Sequence, residues 1–243
     1  MDEAMPNSHT LHQTLSLGDI RSVSPALADY TEKAVVGDLW KRPMLTARDR
    51  CVITLAALIA RNQTISMPHY VKLALDNGVL PAEISEIITH LAFYCGWPNA
   101  YFAVGIVRDI FAERGIGAHQ LPAAAPELLP LDEPSESRRA AAVGANFGEI
   151  SAGVVHYTGE LLFKNLWLRP DLAPRDRSLV TVSALIATGQ VAQITYHLGR
   201  AMDNGLTREQ ASEALTQLAF YCGWPCVFSA MPVVKDVFAS RQN

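Results

Sequence analysis

The feature that most constrains this chain is that it states one folding unit twice. Displaced by about 127 residues, positions 30–114 lie on 157–241 without a gap, and roughly four in ten are identical. Tyr30-Thr31 meets Tyr157-Thr158, Trp40 meets Trp167, and Arg42-Pro43 meets Arg169-Pro170. Arg48-Asp49-Arg50 falls on Arg175-Asp176-Arg177, and Asp76-Asn77-Gly78 on Asp203-Asn204-Gly205. The longest match runs from Leu91 to Pro98 on Leu218 to Pro225. A unit present twice buries an apolar face against its twin, so the repeat predicts an intramolecular pseudo-dimer.

Each copy reads as helical. Ile84, Ile87, Ile88 and Leu91 recur at i, i+3, i+4 and i+7, as do Ala211, Ala214, Leu215 and Leu218. No stretch alternates polar and apolar residues long enough for a sheet, which makes the chain all-α. Ser24-Pro25 reads as a helix start, Thr46 with Asp49 as an acidic capping box, and Thr207 with Gln210 as another; Pro81 sits in a first turn. Gly78, Gly96, Gly205 and Gly223 stand where left-handed helix ends are expected, and Pro98 and Pro225 forbid continuation. Four prolines between Gly115 and Pro134 predict a semi-extended connection. The resulting division is an N-terminal extension (1–23), a first unit (24–115), a Pro-rich linker and lead-in (116–147) and a second unit (148–243).

Composition narrows the function. The chain has 243 residues, 49% hydrophobic and 18% charged, with a net charge of −4 and no basic run, which argues against nucleic acid as a partner. The apolar stretch Val52–Ala60 is too short to span a bilayer, and Met1–Asp19 is polar, with His9 and His12, so no membrane segment or signal peptide is read. Cys51, Cys95, Cys222 and Cys226 do not make a disulfide framework. The expectation is a cytoplasmic enzyme with reduced, mostly buried thiols.

Arg-Asp-Arg followed by an apolar helix, then His197-Leu198-Gly199-Arg200-Ala201-Met202-Asp203-Asn204-Gly205, resembles the carboxymuconolactone decarboxylase family, as does the Leu-Ala-Phe-Tyr-Cys-Gly-Trp-Pro string closing each copy. The resemblance implies paired helical units assembling further, here as a trimer of tandem chains. One branch of that family, the alkylhydroperoxidase D-like hydroperoxidases, relays protons through a Glu, a C-x-x-C and a His. At those places the first copy carries Cys51, Gln63, Ser66 and Tyr70, and the second Ser178, Gln190, Gln193 and His197. Both cysteine pairs and both glutamates are missing, so thiol peroxidase chemistry is not expected.

Decarboxylation asks for less. A carboxylated unsaturated lactone loses CO2 because its electrons delocalise onto the lactone carbonyl; the protein must hold the carboxylate, stabilise the oxyanion and return a proton to carbon. The resemblance points to His197 as the acid, Gln193 one turn earlier to orient it or donate to the oxygen, and Arg200 or Arg177 to hold a carboxylate. His69, Tyr70 and Tyr196 complete the expected substrate-binding set. Tyr196-His197 is reversed in the first copy as His69-Tyr70, and one residue turns a helical side chain by about 100°. The Arg-Asp-Arg triplets also read as helix starts and salt bridges between units, and Trp97, Trp224, Tyr94 and Tyr221 as packing at the helix breaks. The commitment is a cofactor-free lyase acting on a small unsaturated carboxylated lactone or related acid. Isomerisation or other enolate chemistry, and a non-catalytic scaffold, are the alternatives.

Overall fold

The structure, a computed structural model, describes residues 15–241; the start of the N-terminal extension, with His9 and His12, lies outside it. The chain runs α1 (Leu17–Val23), α2 (Pro25–Tyr30), α3 (Ala47–Ala60), α4 (Met67–Asp76), α5 (Pro81–Cys95), α6 (Trp97–Glu113) and α7 (Glu133–Phe147). It continues through α8 (Ala152–Tyr157), α9 (Pro174–Ala187), α10 (Ile194–Asp203), α11 (Arg208–Cys222) and α12 (Trp224–Ser240). No strand occurs among the described residues. Every bound of α2–α6 reappears in α8–α12 at the repeat offset, as do the π-helical turns Thr31–Val36 and Thr158–Phe163. The bounds coincide even where the starting residues differ, Thr46 against Ala173 and Leu80 against Thr207.

The helix ends follow these signals. Thr46 accepts the Asp49 amide at 3.0 Å, but the Asp49 carboxylate turns away to Arg175, so only half of that capping box forms. Thr207 and Gln210 make both halves of theirs. Gly78 and Gly205 take positive φ, and the amides of Val79 and Leu206 reach back to Ala74 and Ala201 in the Schellman arrangement. Gly96 and Gly223 differ from the expected left-handed cap. Their φ/ψ values of 87/150° and 90/149° fall in a region essentially restricted to glycine, which swings the chain straight into α6 and α12. Pro98 and Pro225 then occupy first-turn positions of those helices.

α3 and α9 form the centre. From Asp49 to Ala60 and from Asp176 to Ala187 every residue is buried, which explains why neither helix is amphipathic. They pack on each other, and each also packs on its own unit and the other's: α3 against α11, α9 against α5. One apolar core runs through both units. Arg48 reaches Asp176 at 2.8 Å, and Arg175 reaches Asp49 at 2.7 and 2.9 Å, a reciprocal exchange between the repeated triplets.

The connection between the units is extended only in part. After a 3-10 turn at Ala118–Gln120 it runs without helix to Asp132, and then forms the 15-residue α7. It also lies against the second unit: the Leu129 amide donates to Leu168 O at 2.7 Å, and Arg169 donates to Ala123 O and Ala124 O. No helix among the described residues is long and apolar enough to cross a membrane.

Candidate active site

Two related polar clusters lie where the units meet. The buried face of α5 carries Glu86, His90 and Tyr94 at i, i+4 and i+8; α11 repeats it as Glu213, Gln217 and Tyr221. Each face docks on the other unit. Glu86 accepts from Arg169 Nε and Arg177 Nη2, both at 2.8 Å, while Tyr94 accepts from Trp167 Nε1 at 3.0 Å. In the twin cluster Glu213 accepts from Arg42 at 2.7 and 3.0 Å and from Arg50 at 2.9 Å, and Tyr221 accepts from Trp40 Nε1 at 2.8 Å. Burial raises the Glu213 carboxyl, but the hydrogen bonds from Arg42 and Arg50 outweigh it and hold the group below its ordinary value.

His90 is fully buried, and its bonds order its protons. The Thr181 hydroxyl donates to Arg177 O at 2.9 Å, so it accepts from His90 Nε2–H at 2.7 Å. Nδ1 is then the acceptor for Arg177 Nη1 at 3.4 Å. Burial first, and the Arg177 charge second, keep this imidazole well below its usual pKa, hence neutral.

The clusters diverge where α4 and α10 meet them. On α4, Tyr70 enters the cluster: its hydroxyl bonds Tyr221 at 2.7 Å and its ring stacks on Trp40. Leu73 packs one turn later. On α10 these positions are His197 and Arg200. His197 lies parallel to Trp167 and edge-on to Tyr94, with ring centroids 5.8 and 5.3 Å away. It is 7% exposed, and its Nδ1 is buried without a partner. Arg200 rests over Trp167 at 4.3 Å, also without a carboxylate partner among the described residues, and its Nε is buried and unsatisfied. A cavity of about 350 Å³ opens beside it, walled by Trp167, Phe163, Tyr196, Arg200 and the inter-unit residues Leu129–Asp132. Thus one cluster is closed by a tyrosine pair, and the other keeps unsatisfied nitrogens, with Arg200 bordering a cavity.

The carboxymuconolactone decarboxylase family model matches residues 25–109 and again 152–236. The chain belongs to that family. Over 110 residues it is 24% identical to a 4-carboxymuconolactone decarboxylase of Acinetobacter baylyi, covering 45% of this chain and 82% of the relative. Over 68 residues it is 34% identical to a nitrosuccinic acid decarboxylase of Metarhizium robertsii, covering 28% of this chain and 48% of the relative. A crystal structure of a Burkholderia xenovorans protein, described as a gamma-carboxymuconolactone decarboxylase subunit, superposes with a TM-score of 0.56 at 18% identity, covering 95% of this chain and 94% of its own. That likeness establishes the shared fold.

Within this family member, the residues singled out from the sequence fall into three groups. His197, Arg200 and Tyr196 come together beside Trp167, with Arg200 Nη1 3.5 Å from the Tyr196 hydroxyl; Arg200 and Tyr196 border the cavity, and His197 packs against Trp167 without lining it. Arg177 is not free to hold a substrate. It is 0% exposed, tied to Glu86, to Arg169 O and to His90, because a guanidinium taken wholly out of water needs a counterion. Gln193 does not orient His197: it stands exposed in the turn before α10, and His197 Nδ1 has no partner. In the first unit His69 is exposed and Tyr70 half-buried, as the 100° offset requires. Trp97 and Trp224, read as packing, are 48% and 51% exposed. Tyr94, Trp167 and His90 also belong to the cluster, so Tyr94 does more than pack at a helix break.

Burial, then the Arg200 charge, push the His197 pKa down to about 4. Its charged form is therefore scarce near neutral pH when the cavity is empty. Below about pH 6.5 the unfolded chain binds a proton at this position that the folded chain refuses, so stability is complete above that pH and falls towards pH 4. Between about pH 7.5 and pH 5, His197 should account for about 2 kcal/mol of lost stability, and His90 acts in the same direction. Denaturant midpoints at both pH values check this, since His197→Gln should remove that share of the loss.

Three of the four thiols are unsuited to nucleophilic work. Burial pushes Cys51 and Cys222 up to about 12 and Cys95 to about 11, which leaves little thiolate. Cys51 is wholly buried while His69 points outward, so no Cys–His pair forms.

Proposed function

We propose that this chain decarboxylates a small unsaturated acid of the carboxylated-lactone type, at the cluster formed by Trp167, His197 and Arg200 with Tyr94 of the first unit. The observation that carries the reading is a pair of buried, unpartnered nitrogens: Nε of Arg200, which borders the cavity, and Nδ1 of His197, which stacks on the cavity residue Trp167. Leaving such donors unsatisfied costs about 1–3 kcal/mol each, more on a charged group, and a bound carboxylate would recover that cost. The decarboxylase names of two relatives favour the same chemistry.

In this reading Arg200 captures the substrate carboxylate. Its contact with Trp167 is worth about 0.5–2 kcal/mol, so a charge-assisted hydrogen bond can draw the guanidinium off the ring and open the way to His197. The incoming anion offsets the Arg200 charge that lowers His197, and the imidazole takes up a proton from solvent. As the carbon–carbon bond breaks, its electron pair delocalises to the substrate carbonyl oxygen. Tyr94 stabilises that oxygen, since its hydroxyl accepts from Trp167 and its own proton remains to be given. His197 then protonates the carbon, and the net change is R–CO2⁻ plus H⁺ to R–H plus CO2. Every group invoked belongs to the chain, and the expected reaction is cofactor-free.

A screen of lactone acids and related unsaturated acids for CO2 release tests the proposal. Turnover by the wild type that vanishes in Arg200→Met supports it. No release from any such acid counts against it.

The chain is also expected to assemble as a trimer of tandem chains. Two patches of exposed aromatics favour self-association: Phe93, Trp97 and Tyr101 on one unit, and their repeat mates Phe220, Trp224 and Phe228 on the other. Sedimentation at micromolar concentration should give three times the chain mass; a strict monomer would refute the expectation.

A further inference from the structure

Arg61 of the first unit crosses to the second and ends against its two cysteines. Nη1 donates to Cys222 O at 2.9 Å and to Ala187 O at 3.3 Å, and it lies 3.6 Å from Cys226 Sγ. Cys222 is the last residue of α11 and Cys226 stands in the first turn of α12, with the Gly223 break between them. Cys222 is 7% exposed, and its thiol donates to Leu218 O at 3.0 Å. Cys226 is half-buried. Trp224 and Phe228, the exposed aromatics of α12 nearest to it, are each two residues away, hence about 200° round the helix. Self-association through those rings therefore uses the other side of α12.

The twin unit shows that the fold does not ask for this arrangement. Cys95 matches Cys222, but Asn99 stands where Cys226 does, and Thr188 where Arg61 does. Asn99 donates to Ala60 O at 3.0 Å and so serves the last carbonyl of α3. The equivalent carbonyl, Ala187 O, is served by Arg61, and Cys226 Sγ only approaches it at 4.0 Å. Cys226 thus does no capping that an asparagine would not do better. What the second unit has instead is a pair of thiols with a guanidinium against one of them. The two side chains sense each other: burial first, and Cys226 second, hold the Cys222 thiol up at about 12, while the Arg61 charge works against them. Attack on a disulfide runs through the thiolate, and a guanidinium stabilises that charge as it forms.

We propose that Cys226 and Cys222 are a redox-modification site, which takes up an intramolecular disulfide from a small-molecule disulfide, RSSR. The Cys226 thiolate attacks one sulfur, forming the mixed disulfide Cys226–S–SR and releasing RS⁻, which takes the Cys226 proton. Cys222 then attacks the Cys226 sulfur, the S–SR bond breaks, and the Cys222 proton goes to the departing thiolate. The net change is two protein thiols plus RSSR to one protein disulfide plus two RSH. Cys222 is a poor nucleophile towards solvent, but its target sulfur is then fixed across a single break, and such placement offsets scarce thiolate. The pair lies away from the hydroperoxidase relay positions, which Gln63, Ser66, Gln190 and Gln193 fill, and no peroxide step is involved.

The probe is oxidised glutathione, added to the folded full chain, with peptide masses read without reduction. The expected product is a Cys222–Cys226 disulfide, with Cys51 and Cys95 still free thiols. Cys222→Ser should stop with one glutathione on Cys226. Cys226→Asn, which restores the twin's residue, should take up none and melt no lower than the wild type. Arg61→Met should slow attachment by roughly three-fold or more, and Arg61→Lys should restore most of the rate. Unfolded in urea, wild type and Arg61→Met should react alike, which separates the charge from any loss of fold. A folded chain that leaves Cys226 unmodified, attachment at Cys95 just as fast, a mixed disulfide that never closes, or an unchanged rate in Arg61→Met overturns the proposal.

Discussion

Replacing His197 by Ala is expected to cut turnover by roughly two to four orders of magnitude, while His69→Ala leaves it within about a factor of two. The two halves make this an internally controlled experiment. His197 lies inside the cluster against Trp167 and Tyr94, whereas His69 stands exposed on the outer side of α4. Tyr70 fills the inner position of the first unit, and its bond to Tyr221 occupies the hydroxyl that would otherwise be free to donate. Helix content should survive in both variants, because Ala is the better helix former. The pH dependence separates a proton donor from a packing residue. If His197 delivers the proton, kcat should fall on the alkaline side of its pKa in the complex. That pKa lies above about 4, because the bound anion offsets Arg200. Full activity of His197→Ala on a verified substrate would remove it from the mechanism, and an essential His69 would move the site to the first unit.

The duplication made most of the architecture legible, since the glycine and proline breaks and the apolar period occur twice. Proline and glycine at the α5–α6 and α11–α12 breaks, and the apolar period of α5, needed no tertiary information. Linker residues 133–147 were harder. Their helix contains the string Arg138 to Val143, without a wide apolar stripe, and it is held through side chains such as Arg139 that pack on the second unit. The site was half legible. His197 and Arg200 lie on one helix at i and i+3, a local relation, so the family pattern reached them. Tyr94 and His90 arrive from the opposite unit, and that meeting exists only once α5 docks on α9. A usable signal was nevertheless present: Glu86, His90 and Tyr94 recur at i, i+4 and i+8 among apolar residues, and Glu213, Gln217 and Tyr221 repeat it. Polar residues on a buried stripe, stated twice, require partners. The repeated buried arginines, Arg50 and Arg177, are those partners, which is why Arg177 serves the fold rather than a ligand.

Glu86→Ala is accordingly expected to destabilise the fold by about 3–5 kcal/mol, the cost of stranding a buried charge. Glu86 and Arg177 are both 0% exposed, and Glu86 also holds Arg169 at 2.8 Å. Burial already pushes the Arg177 guanidinium below its ordinary pKa despite this carboxylate, and Arg177 Nε has no partner at all. Without Glu86 the charge would keep only a backbone carbonyl, Arg169 O at 3.0 Å, and a 3.4 Å contact to His90. Removing the charge as well should return part of the loss, because a well-packed apolar pair avoids the desolvation that the ion pair must offset. Glu86→Ala with Arg177→Met should therefore be more stable than Glu86→Ala alone, a non-additivity readable from urea midpoints in a double-mutant cycle. Glu86→Gln keeps the shape and one acceptor, and it provides a folded reference should the alanine variant not fold. Asp49→Ala, whose buried carboxylate holds arginines that keep partial contact with water and a second carboxylate, Asp176, should cost less, about 1–3 kcal/mol. Equal losses for Asp49→Ala and Glu86→Ala would mean that water reaches the Arg177 cluster, and that the buried pair does not fix how the two units dock.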